Sequence, residues 1–467
     1  MNSLPTKLFC LGSGDRKLIE KYGVSGPRYT SYPAALQFDS QFTKDCSPKE
    51  SEQYFRDNIA PLSIYVHIPF CQKICYFCAC NKIVTSDYTV SRQYLDYLAK
   101  EMKMQSARVG KHRNVIQLNL GGGTPTFLDG AELTELMHML AKNFSLSDSN
   151  LREYSIEIDP RTVTRDSLAL LKGLGFNRLS LGVQDFDERV QEAINRKQRF
   201  GLVQKLTETA RLHGFKSVSY DFIYGLPFQT PKTLEITLRK IVELSPDRIA
   251  FYNYAHFPMR FKSQRAIARH DLPSLGDKVD MLGLITGKLV DAGYQHIGMD
   301  HFAKSDDDLA VAQRHGKLQR NFQGYSTSMA PDLIGIGVSA ISSSQQSYVQ
   351  NSVLLEDYYR KLDENSLPIA KGVQLSFDDR IRWAVISNII CNLALNVGEI
   401  ENRFAIVFPE YFAQELSGLK SMENDGLVIW DSDILYVSEL GRIMLVSICR
   451  VFDRYLQDST VIKFSEL

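Results

Sequence analysis

The sequence predicts an α/β protein built as a parallel (βα)6 partial TIM-like barrel, with an N-terminal arm and a mostly helical, winged-helix-like C-terminal domain. Three observations predict it. From about Pro61, short apolar runs alternate with longer stretches of helical period, and such alternation builds right-handed parallel βα units. The Gly-rich and polar motifs all follow the carboxyl ends of those runs, where barrels of this type place their sites. In the last hundred or so residues the alternation gives way to helices and one hairpin.

Residues 1–60 read as an ordered arm, marked by Ser25-Gly26-Pro27-Arg28-Tyr29-Thr30-Ser31-Tyr32-Pro33. Residues 61–370 read as the catalytic barrel. Its strand candidates are Leu62–His67, Val115–Leu120, Glu153–Ile158, Arg178–Gly182, Ser217–Ile223 and Arg248–Asn253. Helical period marks Tyr88–Ala107, Ala131–Asn143, Arg165–Gly173, Gly201–His213 and Pro231–Leu244. Residues 371–467 read as an accessory domain. Ser376 is an N-cap candidate before a helix over Asp379–Leu395, and Leu427–Trp430 and Ile434–Val437 flank the turn Asp431-Ser432-Asp433. Leu440, Ile443, Met444, Ile448, Val451 and Phe452 form a helical stripe. The segment has no basic stripe of the kind DNA binding needs, so it reads as a lid or scaffold.

The 467 residues are 44% hydrophobic and 23% charged, as in a globular protein with a large core. Lys plus Arg (54) equals Asp plus Glu (54), which argues against polyanion or nucleic-acid binding as the main task. No apolar run is long enough for a leader near the start or a membrane span later. A cytoplasmic setting, with reduced thiols, is expected.

The eight cysteines are uneven. Cys71, Cys75, Cys78 and Cys80 crowd into ten residues, while Cys10, Cys46, Cys391 and Cys449 are scattered. Cys71-x3-Cys75-x2-Cys78 puts three soft thiolates on one loop, and thiolates select iron–sulfur clusters, zinc or copper(I). A cubane usually takes four cysteines; three leave one iron open for a substrate or cofactor. Zinc on all four thiolates is the alternative, but the single residue between Cys78 and Cys80 is a poor spacing for a tetrahedral site. Tyr65, Phe70, Tyr76 and Phe77 would wall the loop from water.

Beyond the cysteines, Gly121-Gly122-Gly123-Thr124-Pro125 at a strand-to-helix turn exposes backbone N–H groups that can hold an anionic or zwitterionic group; a plain tight loop is the alternative. Glu157 at a strand end could bond a ribose hydroxyl or an ammonium, or be a surface carboxylate. Arg28 and Arg320 are candidate partners for substrate carboxylates, because guanidinium matches carboxylate geometry; solvated arginine is the alternative. His67, His256, His301 and His315 lack ligand-like spacing, so no second metal is expected.

Cys-x3-Cys-x2-Cys is the radical S-adenosylmethionine signature, and Tyr65-Val66-His67-Ile68-Pro69-Phe70 precedes it. The chain closely resembles the oxygen-independent coproporphyrinogen III oxidases of haem biosynthesis. The resemblance runs from about Tyr22 to near the C-terminus. It rests on Ser25–Pro33, Tyr65–Thr85, Gly121–Pro125, Asn177–Phe186, Asp221–Pro227, Asn253–His256, Gly298–Phe302, Arg320–Tyr325 and Gly335–Ser342. It implies a [4Fe-4S] cluster on Cys71, Cys75 and Cys78, and two molecules of S-adenosylmethionine. It also implies a 5′-deoxyadenosyl radical that takes a hydrogen from the β-carbon of a substrate propionate. Loss of carbon dioxide and one electron, done twice, would turn coproporphyrinogen III into protoporphyrinogen IX. By the same resemblance Tyr65, Phe77, Gly122, Gly123, Thr124, Gln184, Arg196, Asp221, Ala255 and Ile341 join Glu157 as cofactor contacts. Taken singly, Arg196 could equally be a surface ion pair and Asp221 a satisfied strand carboxylate. Cys80 matches the family's extra cysteine, which is not a cluster ligand, and its role stays open. A flavodoxin- or ferredoxin-type electron donor and a monomer are further implications.

Departures are small: Asn119-Leu120 stands where the family often has tryptophan, and Arg382-Trp383-Ala384-Val385 replaces a more charged stretch. Two other readings are a haem-carrying relative and an electron-transfer iron–sulfur protein. The haem carriers lack the extra cysteine and carry His-Asn-x-x-Tyr-Trp where this chain has Arg320-Asn321-Phe322-Gln323-Gly324-Tyr325. The Gly-rich turn and the strand-end polar residues argue against pure electron transfer.

Overall fold

The computed structural model describes residues 13–23, 26–42, 53–55, 57–327 and 330–457. Cys10, Ser25 and Cys46 lie outside them. Six parallel strands form where the apolar runs predict them: β1 (Leu62–Ile68), β2 (Asn114–Gly122), β3 (Glu153–Ile158), β4 (Arg178–Gln184), β5 (Ser217–Tyr224) and β6 (Arg248–Asn253). A seventh, β7 (Asp332–Ile336), pairs parallel with the free side of β1, Tyr65 facing Gly335 in register. The order is β6-β5-β4-β3-β2-β1-β7, with antiparallel strands continuing beyond both β6 and β7. That linear order leaves the barrel open, as the partial-barrel reading expects.

Several of the helices between strands begin at side-chain caps. Asp129, Thr164 and Thr230 each form a capping box, and Pro231 occupies the first turn of its helix, the position where a missing N–H costs nothing. Their apolar faces and the strands share one core that includes Leu98, Leu120, Ile156, Leu181, Phe222 and Ile334. On the inner side, the hairpin Gln319–Asn321 and Gly324–Ser326 enters the lumen. Gln323 Nε2 donates to Ile64 O at 3.1 Å, and Ser326 Oγ donates to Glu153 Oε2 at 2.8 Å.

The C-terminal region runs helix (Phe377–Asn392), strand (Ala394–Asn396), helices, then strands Val428–Asp431 and Ile434–Val437 in one antiparallel sheet. Ser376 caps the first helix through a box with Asp379. That helix stops at Asn392, short of the expected Leu395, because Leu393 turns left-handed at φ 56° and Ala394 starts a strand. The stripe after Leu440 is broken at Met444 into two short helices, Glu439–Ile443 and Leu445–Val451. A second core joins this region to Ile297, Leu309 and Tyr325, and to Ile19, Tyr22, Tyr29 and Tyr32 of the arm. Tyr29 Oη donates to Asp453 at 3.1 Å, and Asp39 exchanges two backbone hydrogen bonds with Gly372. Among the described residues no helix is long and apolar enough to cross a membrane.

Candidate active site

The loop after β1 is held by its backbone. Ile83 N bonds Pro69 O at 2.8 Å, Tyr76 N bonds Ile194 O at 3.0 Å, and Asn195 Nδ2 bonds Ile74 O at 2.8 Å. Gln264 Nε2 and Ser263 Oγ donate to the carbonyls of Phe77 and Cys78, each at 3.1 Å. The loop therefore presents Cys71, Cys75, Cys78 and Cys80 to one cavity of about 150 Å3 over the carboxyl ends of β2 to β5. Burial pushes the Cys71 thiol up to about 11. The neighbouring Cys80 thiol, with the charge of Lys82, draws the Cys78 thiol below its ordinary range.

The Gly-rich turn forms the facing wall. Gly123 N and Thr124 N donate to Ile68 O (2.8 Å) and Phe70 O (2.9 Å), so turn and thiol loop lie backbone against backbone. Gly122 has φ +117°, and a Cβ there would fall 2.7 Å from the His67 ring. That ring is fixed at both nitrogens. Its Nε2 lies 2.9 Å from the Asn81 carbonyl, which can only accept, so Nε2 carries the proton and Nδ1 accepts from Tyr65 Oη at 3.1 Å. Burial lowers His67 to about 4, keeping it neutral.

Charges ring the cavity in two groups. Burial raises Glu157 to about 7, helped by nearby Asp221, and burial also raises Asp221 to about 6. Glu157 accepts from Gly122 N at 3.3 Å and Asp221 from Ser180 Oγ at 2.8 Å. Opposite them, Arg196 Nη1 reaches both Cys75 Sγ (3.4 Å) and Asp159 Oδ2 (3.1 Å). Its remaining nitrogens bond Gly182 O. Burial alone would raise Asp159, but Arg196 and Arg161 outweigh it and hold the carboxyl below its ordinary range.

Of the residues named from sequence, the cavity gathers the four cysteines, Phe77, Gly122, Gly123, Thr124, Glu157, Gln184, Arg196 and Asp221. Tyr65, Ala255 and Ile341 stand behind its walls: Tyr65 orients His67, Ala255 O accepts from the Gln264 amide that also holds Phe77, and Ile341 packs on Gly335. Arg28 and Arg320 lie elsewhere, beside a second cavity of about 170 Å3 that fills the lumen and shares Glu157, Ser180 and Asp221 with the first. Arg28 pairs with Asp300 at 2.8 Å and stacks over Tyr252; buried Arg320 stacks over Tyr325 and donates to Arg28 O. Tyr252 and Tyr325 line the lumen. Sequence reasoning did not single out Arg161, whose guanidinium approaches Cys75 Sγ at 3.9 Å. Asp159-Pro160-Arg161 at a strand's carboxyl end was the available signal.

The donor set suits a cluster better than a single ion. Among the described residues no three His, Cys, Asp or Glu side chains converge closely enough to hold one ion, whereas zinc needs thiolates within about 2.3 Å. Thiols spaced around a cavity, with two guanidiniums to offset their charge, fit a polynuclear iron–sulfur centre. The side-chain-free turn beside them leaves room for a second ligand.

Comparison with known proteins agrees. Residues 65–241 match the Radical SAM superfamily model. The chain is 46% identical over 456 residues to the oxygen-independent coproporphyrinogen III oxidase of Pseudomonas aeruginosa, covering 97% of this chain and 98% of that one. It is 47% identical over 448 residues to the Escherichia coli enzyme of the same name, covering 95% and 96%. A solved E. coli coproporphyrinogen III oxidase, described as a radical SAM enzyme, superposes with TM-score 0.89 at 45% identity, covering 94% of this chain and 98% of that one.

Proposed function

Because the chain belongs to the oxygen-independent coproporphyrinogen III oxidases, enzymes of the radical S-adenosylmethionine superfamily, we propose that it converts coproporphyrinogen III to protoporphyrinogen IX by oxidative decarboxylation of two propionates to vinyl groups. The observation that carries this reading is the single cavity in which Cys71, Cys75 and Cys78 face the Gly122-Gly123-Thr124 cradle. Cys71, Cys75 and Cys78 would hold a [4Fe-4S] cluster. When bound, the cluster and S-adenosylmethionine supply a 5′-deoxyadenosyl radical for hydrogen abstraction.

The residues of this chain then have separable tasks. The N–H groups of Gly122, Gly123 and Thr124 are already bonded to Glu157, Ile68 and Phe70, so the turn receives the amino-acid end of the cofactor through its carbonyl oxygens and the Thr124 hydroxyl rather than through exposed N–H groups. Glu157 and Asp221, half-buried and close, answer its cationic charge, and Gln184 and Arg196 complete the polar wall. Arg196 and Arg161 balance the negative charge of the thiolates near Cys75. Tyr65, Phe77, Ala255 and Ile341 shape the space beside the first cofactor, where a second molecule of S-adenosylmethionine is accommodated. The lumen, which shares Glu157, Ser180 and Asp221 with the cavity, takes the reacting propionate, and Arg28 and Arg320 face its carboxylates. The enzyme works as a cytoplasmic monomer, and a flavodoxin- or ferredoxin-type protein reduces it.

The test is anaerobic turnover of the iron-reconstituted protein with coproporphyrinogen III, S-adenosylmethionine and dithionite. Protoporphyrinogen and 5′-deoxyadenosine should form together and both vanish in Cys75→Ala. Cleavage of S-adenosylmethionine without decarboxylation would rule out the substrate. Tight haem binding with neither product would favour a haem carrier.

A further inference from the structure

The thiol loop rests against the segment 257–271 that follows β6. Besides the hydrogen bonds from Ser263 and Gln264 to the Cys78 and Phe77 carbonyls, Ile267 packs with Tyr76 and Phe77 in a small core of its own. The outward side of this segment is basic. Arg260, Lys262, Arg265, Arg269 and His270 are all exposed, and Asp271 is the single carboxylate between residues 257 and 276. The thiol loop adds exposed Lys73 and half-buried Lys82, whose Nζ donates to Cys78 O at 3.0 Å.

Apart from His270, which lies 3.6 Å from Asp271, these groups face no carboxylate partner among the described residues. Among the described residues Lys73, Lys82, Arg260, Lys262, Arg265 and Arg269 form no ion pair. Lys371, across from Arg260, is held below the ordinary amine range by burial and by Arg260 itself, so like charges crowd at this edge. In a chain whose 54 basic and 54 acidic residues balance, this is a local surplus beside the cysteine ligands. Met259, 88% exposed on the same segment, supplies an apolar contact next to the charges.

We propose that this face is the docking surface for a small acidic one-electron carrier protein, which delivers its electron through the Cys78 side of the thiol loop. The inference rests on the reading of the thiol cavity as a [4Fe-4S] site. In the step, a carrier flavin goes from hydroquinone to semiquinone as the cluster goes from the 2+ to the 1+ state; one electron crosses and no atom does. The Ser263 contact to the Cys78 carbonyl links the docking face to a ligand residue through one hydrogen bond. Steering by opposite charge is the expected mode of encounter.

The experiment uses the reconstituted enzyme, reduced flavodoxin as the probe, and the triple reversal R260E/K262E/R265E beside the neutral R260Q/K262Q/R265Q. The expected result at low salt is about tenfold weaker binding of oxidised flavodoxin, and about tenfold slower semiquinone formation, in the reversal. The neutral variant should fall between, and the differences should shrink at high salt. Dithionite-driven turnover and the KM for coproporphyrinogen should stay at wild-type values, which also shows that the variants fold. Unchanged flavodoxin affinity and rate would overturn the proposal. So would a raised KM for coproporphyrinogen under dithionite, which would assign the patch to substrate carboxylates. Lost flavodoxin binding in the variant, with no dithionite-driven turnover even in wild type, would support the docking face and refute the reaction assigned to the site.

Discussion

Replacing Gly123 with alanine would put a methyl group into the seam between the Gly-rich turn and the thiol loop. The new Cβ would stand 2.5 Å from Pro69 O and 2.8 Å from Phe70 O, where ordinary contact begins near 3.4 Å. Those are backbone atoms, so no side chain can swing away and the seam itself must open by most of an ångström. Overpacking of this kind costs about 1–3 kcal/mol. The opening also stretches the Gly123–Ile68 and Thr124–Phe70 hydrogen bonds, each worth roughly 1 kcal/mol. Thr124 Oγ1 lies 3.5 Å from Cys71 Sγ, so the displacement separates the proposed cofactor cradle from a cluster ligand. A shift of about 1 Å at a reacting centre can cost roughly 100-fold. The assay is anaerobic formation of 5′-deoxyadenosine by the reconstituted protein, with iron content and thermal midpoint measured alongside. Gly123→Ala should lose about 100-fold in kcat/KM for S-adenosylmethionine and melt several degrees lower. Gly173→Ala, where a Cβ meets nothing within 4 Å, is the control and should match wild type. Activity of Gly123→Ala within a factor of about two of wild type would refute the reasoning.

Arg196→Met leaves buried Asp159 with Arg161 alone and should destabilise by about 3 kcal/mol, read as a lower thermal midpoint; Arg196→Lys should recover only part, since one ammonium cannot reach Cys75, Asp159 and Gly182 together. Glu101 is fully buried, accepts from Gly337 N, Asn351 Nδ2 and Tyr358 Oη, and is raised by burial to about 7. The folded state holds that proton more tightly than the unfolded chain, so its contribution is full below about pH 4.5 and is lost as pH rises to 7, by about 3 kcal/mol. Thermal midpoints of wild type and Glu101→Gln between pH 5 and 8 should show a flatter slope in the variant. Cys78→Ala should lose the iron while Cys80→Ala keeps it, as measured by iron and sulfide content after reconstitution. Arg320→Gln should raise the KM for coproporphyrinogen by about tenfold or more and leave S-adenosylmethionine cleavage in the absence of substrate unchanged.

Much of the barrel was legible because its signals are local. β3 and β6 and the helices Arg165–Gly173 and Pro231–Leu244 fall where the apolar period puts them. β7 was not legible: Asp332-Leu333-Ile334-Gly335-Ile336 is short, buried at every position and interrupted by glycine, and such runs carry no period. Gly122 and Glu157 were readable because parallel strands bring their carboxyl ends together, whereas Gln184 and Asp221, which line the same cavity, entered through the family resemblance. Placing Arg28 needed contacts between residues hundreds of positions apart, to Asp300 and Arg320. Those depend on the arm's path across the second core, which no local pattern encodes. Arg161 escaped for a related reason, since an arginine after proline gives no sign of which thiol it will face.

The most direct test of the three-thiolate site is the electron paramagnetic resonance spectrum of the dithionite-reduced, reconstituted protein before and after addition of S-adenosylmethionine. The expected result is a [4Fe-4S]1+ signal whose shape changes on addition, because one iron lacks a cysteine and takes the cofactor. Gly123→Ala should need far more cofactor for the same change, and Cys80→Ala should leave the cluster signal in place. A cluster signal unaltered by saturating S-adenosylmethionine, or no cluster at all with zinc bound instead, would contradict it.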